Sequence, residues 1–346
     1  MVMNHIDDIL VDIQKEIAPS DETLEAVRSR RDEVLSIAGR YVGALRTYTA
    51  GSIAHRTAND DTDADCGVVL DRRSYHELGP DGDGGAPNDI VEDVRSYIRD
   101  RLKDRHPDIA FRLTKRAIKV TFNEPLPDGS DPSVDLIVAL TRAAGALWIP
   151  NLEHKRWDAS DPECHTRLLT AEPAGLRRMR AKVIRLAKAW NKQYSQPGLC
   201  SFNIEALALE AIKEEVGVAD GLATFFNYAA SDLSKRQTPD PAGVSAPIKT
   251  PIERETAASR LGKAAETLET ALNLDNENDA RDDLASVYWV YVTPSPGSSS
   301  KAAFAKALRE GNSAVRVVPG SISIAGSGSV ALKTTRAYGG DNHEVR

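Results

Sequence analysis

The sequence predicts an α+β chain, a mixed α/β lobe followed by a helical one, and three observations carry that expectation. Up to about Pro150, short apolar runs at strand spacing alternate with helical stretches. Beyond it, apolar positions recur mostly at helical spacing. In the first part, two apolar strands carry aspartates, in Asp63-Ala64-Asp65 and at Asp135.

The elements follow in order. Residues 5–39 read as helical, with Ile6, Ile9, Leu10, Ile13 and Ile17 in register. After Pro19-Ser20-Asp21, a candidate N-cap region, Leu24, Val27, Val34, Leu35 and Ile37 continue the pattern. Leu45–Ala50 is β-like and runs into Gly51-Ser52. From Asp63 the chain alternates, with Ala64, Cys66, Val68 and Leu70 on one side and Asp63, Asp65 and Gly67 on the other. Residues 79–88 form a loop, and Asp89–Arg105 reads as a helix. Ile109–Leu113 and Ala117–Phe122 are two further strands, Pro125–Pro132 a turn, and Val134–Leu140 the strand that bears Asp135. Residues 150–165 read as an ordered loop. Helices are then expected over 173–194, 201–215, 218–231, 252–273 and 278–288. From Pro294 the chain is Ser/Gly/Pro-rich, with a short helix candidate at 300–309. Apolar fragments at 315–318 and 321–324 fit either late strands or a loosely ordered tail.

Composition narrows the class. The chain has 346 residues, 41% hydrophobic and 27% charged, which suits a globular protein of two lobes or two domains. No apolar run approaches the length of a membrane span, and the first residues show neither a basic leader nor an apolar core. The three cysteines, Cys66, Cys164 and Cys200, have no zinc-site spacing and suit a reducing compartment, so a cytoplasmic location is expected. A net charge of −7 argues against general coating of nucleic acid, but it leaves room for a local basic pocket.

The candidate chemistry starts from the aspartates. Two unpaired carboxylates opening an apolar strand are costly without a counter-ion, and Asp135 repeats the arrangement. Three such carboxylates can hold two hard cations about 3.5–4 Å apart, clamping the attacking and leaving oxygens of a phosphoryl transfer. The Gly51-Ser52 turn, twelve residues before Asp63, offers N–H groups and a hydroxyl to a triphosphate. Surface aspartates are the bland alternative, and the apolar setting speaks against it. The helix over 173–194 carries Arg178, Lys182, Arg185, Lys188 and Lys192 around an apolar stripe, by default a solvated basic face. Ser201 is placed to cap the following helix. Phe225, Phe226 and Tyr228 have the spacing of core residues, and His154, His165 and Cys164 form no zinc motif.

With these residues in place, the chain resembles the polymerase-β-like nucleotidyltransferase superfamily through Gly51-Ser52, Asp63-Ala64-Asp65 and Asp135. More narrowly, it is similar to the bacterial cGAS/DncV-like nucleotidyltransferases (CD-NTases), the cyclic-oligonucleotide synthases of CBASS anti-phage signalling. That likeness rests on Ile149-Pro150-Asn151, Trp157, Asp161-Pro162 and His165. It also rests on Arg185-Leu186-Ala187-Lys188-Ala189-Trp190-Asn191, on Cys200-Ser201 with Leu207-Ala208-Leu209-Glu210, and on Asp240-Pro241. It spans about residues 35–290 and leaves 295–346 outside. Ile53-Ala54-His55-Arg56-Thr57 and the acidic, glycine-rich 79–88 stretch depart from the family pattern.

The resemblance implies a polymerase-β-like core, a mixed twisted sheet with flanking helices, plus a C-terminal helical lobe, bilobed with the active site in the cleft. The implied division is 1–165 for the nucleotidyltransferase core with its N-terminal helices, 166–293 for the helical lobe and 294–346 for the C-terminal segment. Asp63, Asp65 and Asp135 would be catalytic and ligate two Mg²⁺ ions, with Mn²⁺ as a substitute. Asp135 would also help activate the attacking hydroxyl. Gly51 and Ser52 would bind nucleotide, and Lys188 and Ser201 would contact the donor triphosphate. The implied reaction condenses NTPs into a cyclic di- or trinucleotide second messenger read by a separate effector, with no membrane and no obligatory nucleic acid. The same aspartate set also serves terminal RNA or tRNA nucleotidyltransferases and toxin-like NMP transferases. A non-catalytic nucleotide sensor on the same fold is the third reading.

Overall fold

The computed structural model describes residues 5–60, 63–82, 86–142 and 145–296, and the backbone of 315–318 and 321–324. The chain forms two compact units.

The sheet unit comprises Pro19–Glu172 and takes in the later segment Pro239–Pro247. It opens with α2 (Asp21–Ala38), whose N-cap Ser20 accepts from Thr23 N–H at 3.0 Å. Strand β1 (Ala44–Ala50) leads into the short helix α3 (Gly51–His55), then β2 (Ala64–Leu70) and α4 (Asn88–Leu102). Strands β3 (Ala110–Leu113), β4 (Ile118–Thr121) and β5 (Val134–Thr141) follow. The seven-stranded sheet runs β1-β2-β5-β4-β3, and β6 (Leu147–Asn151) pairs with both β5 and β7 (Arg156–Ser160). β2 and β5 are parallel; the other pairs are antiparallel.

Strand alternation divides the sheet into two faces with different tasks. Cys66 and Val68 of β2 and Leu136 and Val138 of β5 pack with Val27 and Val34 of α2 and with Val94 and Ile98 of α4. All eight are fully buried, and each of the seven aliphatic side chains contributes roughly 1.5–3 kcal/mol in apolar transfer. The opposite face holds a smaller apolar cluster of Tyr48, Ala50, Val69, Ile137 and Ala139 with Leu147 and Ile149, and the charged residues lie on that side. Arg30 of α2 clamps the loop that enters β5. It is buried, pairs with Asp131 at 2.7 Å and donates to Pro132 O at 2.7 Å.

Residues 150–165 correct the sequence reading. They are no loop but the hairpin β6–β7 and the start of α5 (Pro162–Thr170). Pro150 and a run of polar residues hide the alternation. The turn is carried by Lys155 in the left-handed region (φ 50°), and Asn151 and Arg156 both bond Asp158, at 2.9 Å each. Helix α5 starts from Asp161, which accepts from Cys164 N–H at 2.8 Å, with Pro162 in the first turn.

The helical unit gathers α1 (His5–Glu16), α6 (Ala174–Lys192), α7 (Ser201–Ala211), α8 (Val218–Lys235), α9 (Arg254–Leu272) and α10 (Glu277–Val287). Helix α1 packs on α6, α8 and α10, so it groups here and not with the sheet, and the boundary falls after Glu172. Phe225 and Phe226 are fully buried, as their spacing predicts. Helix α7 stops at Ala211, short of 215, because Ile212 turns to extended backbone and its carbonyl accepts from buried Arg180 at 3.2 Å. The fragments at 315–318 and 321–324 pair as an antiparallel hairpin, β8–β9. The 300–309 helix candidate lies outside the described residues. Among the described residues, no helix is long and apolar enough to cross a membrane.

Candidate active site

Backbone register assembles a charged row across the second face of the sheet. Ala50, Asp65, Asp135, Lys119 and Arg112 are successive Cα partners across β1, β2, β5, β4 and β3. Residues from five stretches of chain thus meet along one line, two acids beside two bases. Asp63, two residues before Asp65, stands on the same side at the entry to β2.

The three aspartates have different surroundings. Asp63 accepts from Ser133 N–H at 3.0 Å and from Lys119 Nζ at 2.6 Å. Asp65 lies against the start of α3. A Cβ on Gly51 would fall 1.9 Å from Asp65 Oδ2, and Gly51 has φ +68°, so only glycine suits this junction. Asp135 is 1% exposed, and among the described residues neither of its carboxylate oxygens has a hydrogen-bond partner. Burial pushes its carboxyl up from 3.8 to about 6. Asp63 adds to the rise, and Lys119 and Arg112 oppose it.

An orphaned buried carboxylate, paired in register with a second one, fits a hard divalent cation by the chemistry of its donors. Among the described residues, however, no three His, Cys, Asp or Glu side chains already converge as a metal site. Asp63 is instead held by Lys119 and Ser133.

Gly51 and Ser52 are the first two residues of α3 and not a free turn, and Ser52 O accepts from Thr57 N–H at 2.9 Å. His55 of the same helix is buried and bonds Thr166 of α5 at 3.0 Å. The helix thereby docks on α5, where His165 bonds Asp240 at 2.6 Å. Burial alone would raise the Asp240 carboxyl. The His165 hydrogen bond and the N–H groups of Ser245 and Ala242 outweigh it and leave the group well below the ordinary carboxylate range. This buried pair ties segment 239–247 to the sheet unit.

Lys188 and Ser201 lie in the helical unit, the aspartates in the sheet unit. Lys188 is buried and pairs with Glu205 of α7 at 2.7 Å. Ser201 is the first residue of α7 and not its cap. Cys200 takes that place in a capping box, its Sγ accepting from Asn203 N–H at 3.4 Å while Asn203 Oδ1 accepts from Cys200 N–H at 3.1 Å. The expected solvated basic face of α6 is also corrected. Arg178 and Lys182 are exposed, Arg185 and Lys192 are partly covered, and Lys188 is inside. Sequence reasoning missed Lys119 and Arg112. Their signal, a basic residue on the side of the strand away from Ile118, Val120, Phe111 and Leu113, is legible only once register is known.

No protein-family model and no curated protein sequence matches the chain. Solved structures do. E. coli MS115-1 CdnC with ATP superposes with a TM-score of 0.60 at 18% identity, covering 84% of this chain and 100% of that one. Bradyrhizobium diazoefficiens CdnG, a CD-NTase in complex with GTP, gives 0.59 at 15% identity over 87% and 97%. Vibrio cholerae DncV in its 3′-deoxy ATP form gives 0.59 at 14% over 81% and 93%. The chain has the CD-NTase fold. In that fold the mixed sheet with its flanking helices is the part that carries Asp63, Asp65 and Asp135 here, and the helical unit carries Lys188 and Ser201.

Proposed function

We propose that this chain is a nucleotidyltransferase that condenses NTPs into a cyclic di- or trinucleotide second messenger by two-metal-ion catalysis, in anti-phage signalling. The observation that carries the reading is Asp135: a buried carboxylate without a partner, in register with Asp65. The fold supports the substrate class. CdnC and CdnG are seen with ATP and GTP, and DncV is a cyclic AMP-GMP synthase seen with the linear intermediate pppA(3′,5′)pG. CdnC is also seen in a complex with a HORMA protein, which supports a protein partner for this chain as well.

In this reading Asp63, Asp65 and Asp135 hold two Mg²⁺ ions, or Mn²⁺ in their place. When bound, these supply charge neutralisation on the triphosphate and acidify the attacking 2′- or 3′-hydroxyl. The chain's own residues do the rest. Gly51, lacking a Cβ, lets Asp65 close onto α3, and the Ser52 hydroxyl donates to a phosphate oxygen. Asp135 would accept the proton of the attacking hydroxyl as that oxygen bonds the α-phosphorus and pyrophosphate leaves. Lys188 and Ser201 would contact the donor triphosphate, Lys188 exchanging its Glu205 partner for a phosphate oxygen. Positioning and electrostatic stabilisation supply most of the acceleration, as in phosphoryl transfer generally.

The test is incubation with labelled NTPs and Mg²⁺ or Mn²⁺, followed by phosphatase. Phosphatase-resistant cyclic product is expected, and Asp63→Ala with Asp65→Ala abolishes it while the circular dichroism spectrum stays native. Extension of added RNA would instead identify a terminal transferase, and nucleotide binding without turnover a sensor. Product from the doubly substituted protein would sink the assignment of these carboxylates.

A further inference from the structure

Lys119 stands in the middle of the charged row. Its Nζ donates to Asp63 Oδ2 at 2.6 Å, and its Cα faces Asp135 across β4 and β5. The two paired side chains are only 23% and 20% exposed, so solvent screens them less than a surface pair. The Asp63 and Asp135 carboxylates repel one another, and the Lys119 ammonium offsets that repulsion from within the fold. It does so on the same carboxylate that a cation would need, and this sets up a competition.

Resting on the metal-dependent reading above, we propose that Lys119 is an internal counter-ion of the acidic site, bonding Asp63 when no divalent cation is bound and competing with that cation for the carboxylate. Bare cation therefore binds weakly. A nucleoside triphosphate brings anionic oxygens that give the ammonium another partner, so cation and nucleotide load together. Lys119 acts through Asp63 and is a positioning residue, one that controls when the site accepts its metal.

The experiment measures Mn²⁺ binding without nucleotide, by the electron paramagnetic resonance signal of free Mn²⁺, on wild type, Lys119→Met, Lys119→Arg and Asp135→Asn. Removing one positive charge about 5 Å from a divalent ion tightens binding by roughly tenfold even at the dielectric of bulk water, and by more in a partly buried site. Lys119→Met is expected to show that gain, to unfold at a lower temperature than wild type in chelator, and to recover with Mn²⁺. Lys119→Arg keeps the wild-type affinity. Equal or weaker Mn²⁺ binding by Lys119→Met overturns the inference, because the lysine would then be ordering Asp63 for the cation. A measurement on the wild-type protein guards against a variant that fails to fold. After reductive ¹³C-methylation, the Lys119 resonance, assigned by its loss in Lys119→Arg, shifts on saturation with Mg²⁺; an unmoved resonance also overturns the proposal. Mn²⁺ bound equally by wild type and Asp135→Asn would put the cation elsewhere and end the metal-dependent reading itself. Binding that needs Asp135 but does not tighten in Lys119→Met ends only the role of Lys119.

Discussion

Replacing Asp135 by asparagine separates what this residue does for the fold from what it does for the chemistry. The side chain is 1% exposed and its oxygens have no partner, so its ionised form is disfavoured in the native state. Burial is the chief cause of the rise from 3.8 to about 6. A raised carboxyl favours the native state in full below about 3.8, and that contribution fades as pH rises through the folded value. At about 1.36 kcal/mol per pH unit, the full change between acid and neutral pH is about 3 kcal/mol. Asp135→Asn removes the titration and leaves every other carboxylate in place. In chelator, its stability relative to wild type should improve by about 2.5 kcal/mol between pH 4 and pH 8, with most of the change between 4 and 6. Urea unfolding at fixed pH steps measures this difference. Saturating Mg²⁺ should shrink the gap at pH 8, because a cation favours the ionised carboxylate of the wild type. A stability difference that is flat with pH, or that widens toward acid, would refute the account of Asp135 as a buried anion awaiting a counter-charge.

Two further substitutions probe the supports of the site. Gly51→Ala puts a Cβ 1.9 Å from Asp65 Oδ2 on a backbone with φ +68°, so Asp65 must move. The cost should be about 1–3 kcal/mol in urea unfolding, with cyclic product falling roughly 10²-fold. Unchanged synthesis would mean that Asp65 is not held against α3. The Lys188–Glu205 pair, with side chains 5% and 6% exposed, invites a double-mutant cycle. Lys188→Met alone should cost about 3–5 kcal/mol by stranding the glutamate, and adding Glu205→Leu should recover most of it. Equal stability of single and double variants would show that the pair is not coupled.

Much of the architecture was legible because its causes are local. Ser20 ahead of apolar residues at helical spacing marks the start of α2, and the alternation from Ala64 to Leu70 marks β2 and the side its aspartates take. Where the reading failed, the cause was again physical. The hairpin β6–β7 has too few alternating apolar residues to announce itself, although Asp161-Pro162 does carry the signature of the helix start after it. Ser201 looked like a cap because serine caps well, but its cysteine neighbour has the geometry and Asn203 completes the box. Lys188 sits among basic residues that look solvated; a glutamate seventeen residues on lets it be buried.

The sequence by itself determined the order of the elements apart from α3, β6, β7 and α5, the two acidic strands, and the class of chemistry that their aspartates and the Gly-Ser junction suit. Periodicity, capping and backbone preference act over a few residues and can be read there. Only the tertiary structure decided which charges meet. Strand pairing sets Asp65 beside Asp135 and Asp135 beside Lys119, and burial strips Asp135 of partners while pairing Asp63 with Lys119. Register and desolvation join residues far apart in the chain, so no local rule contains them.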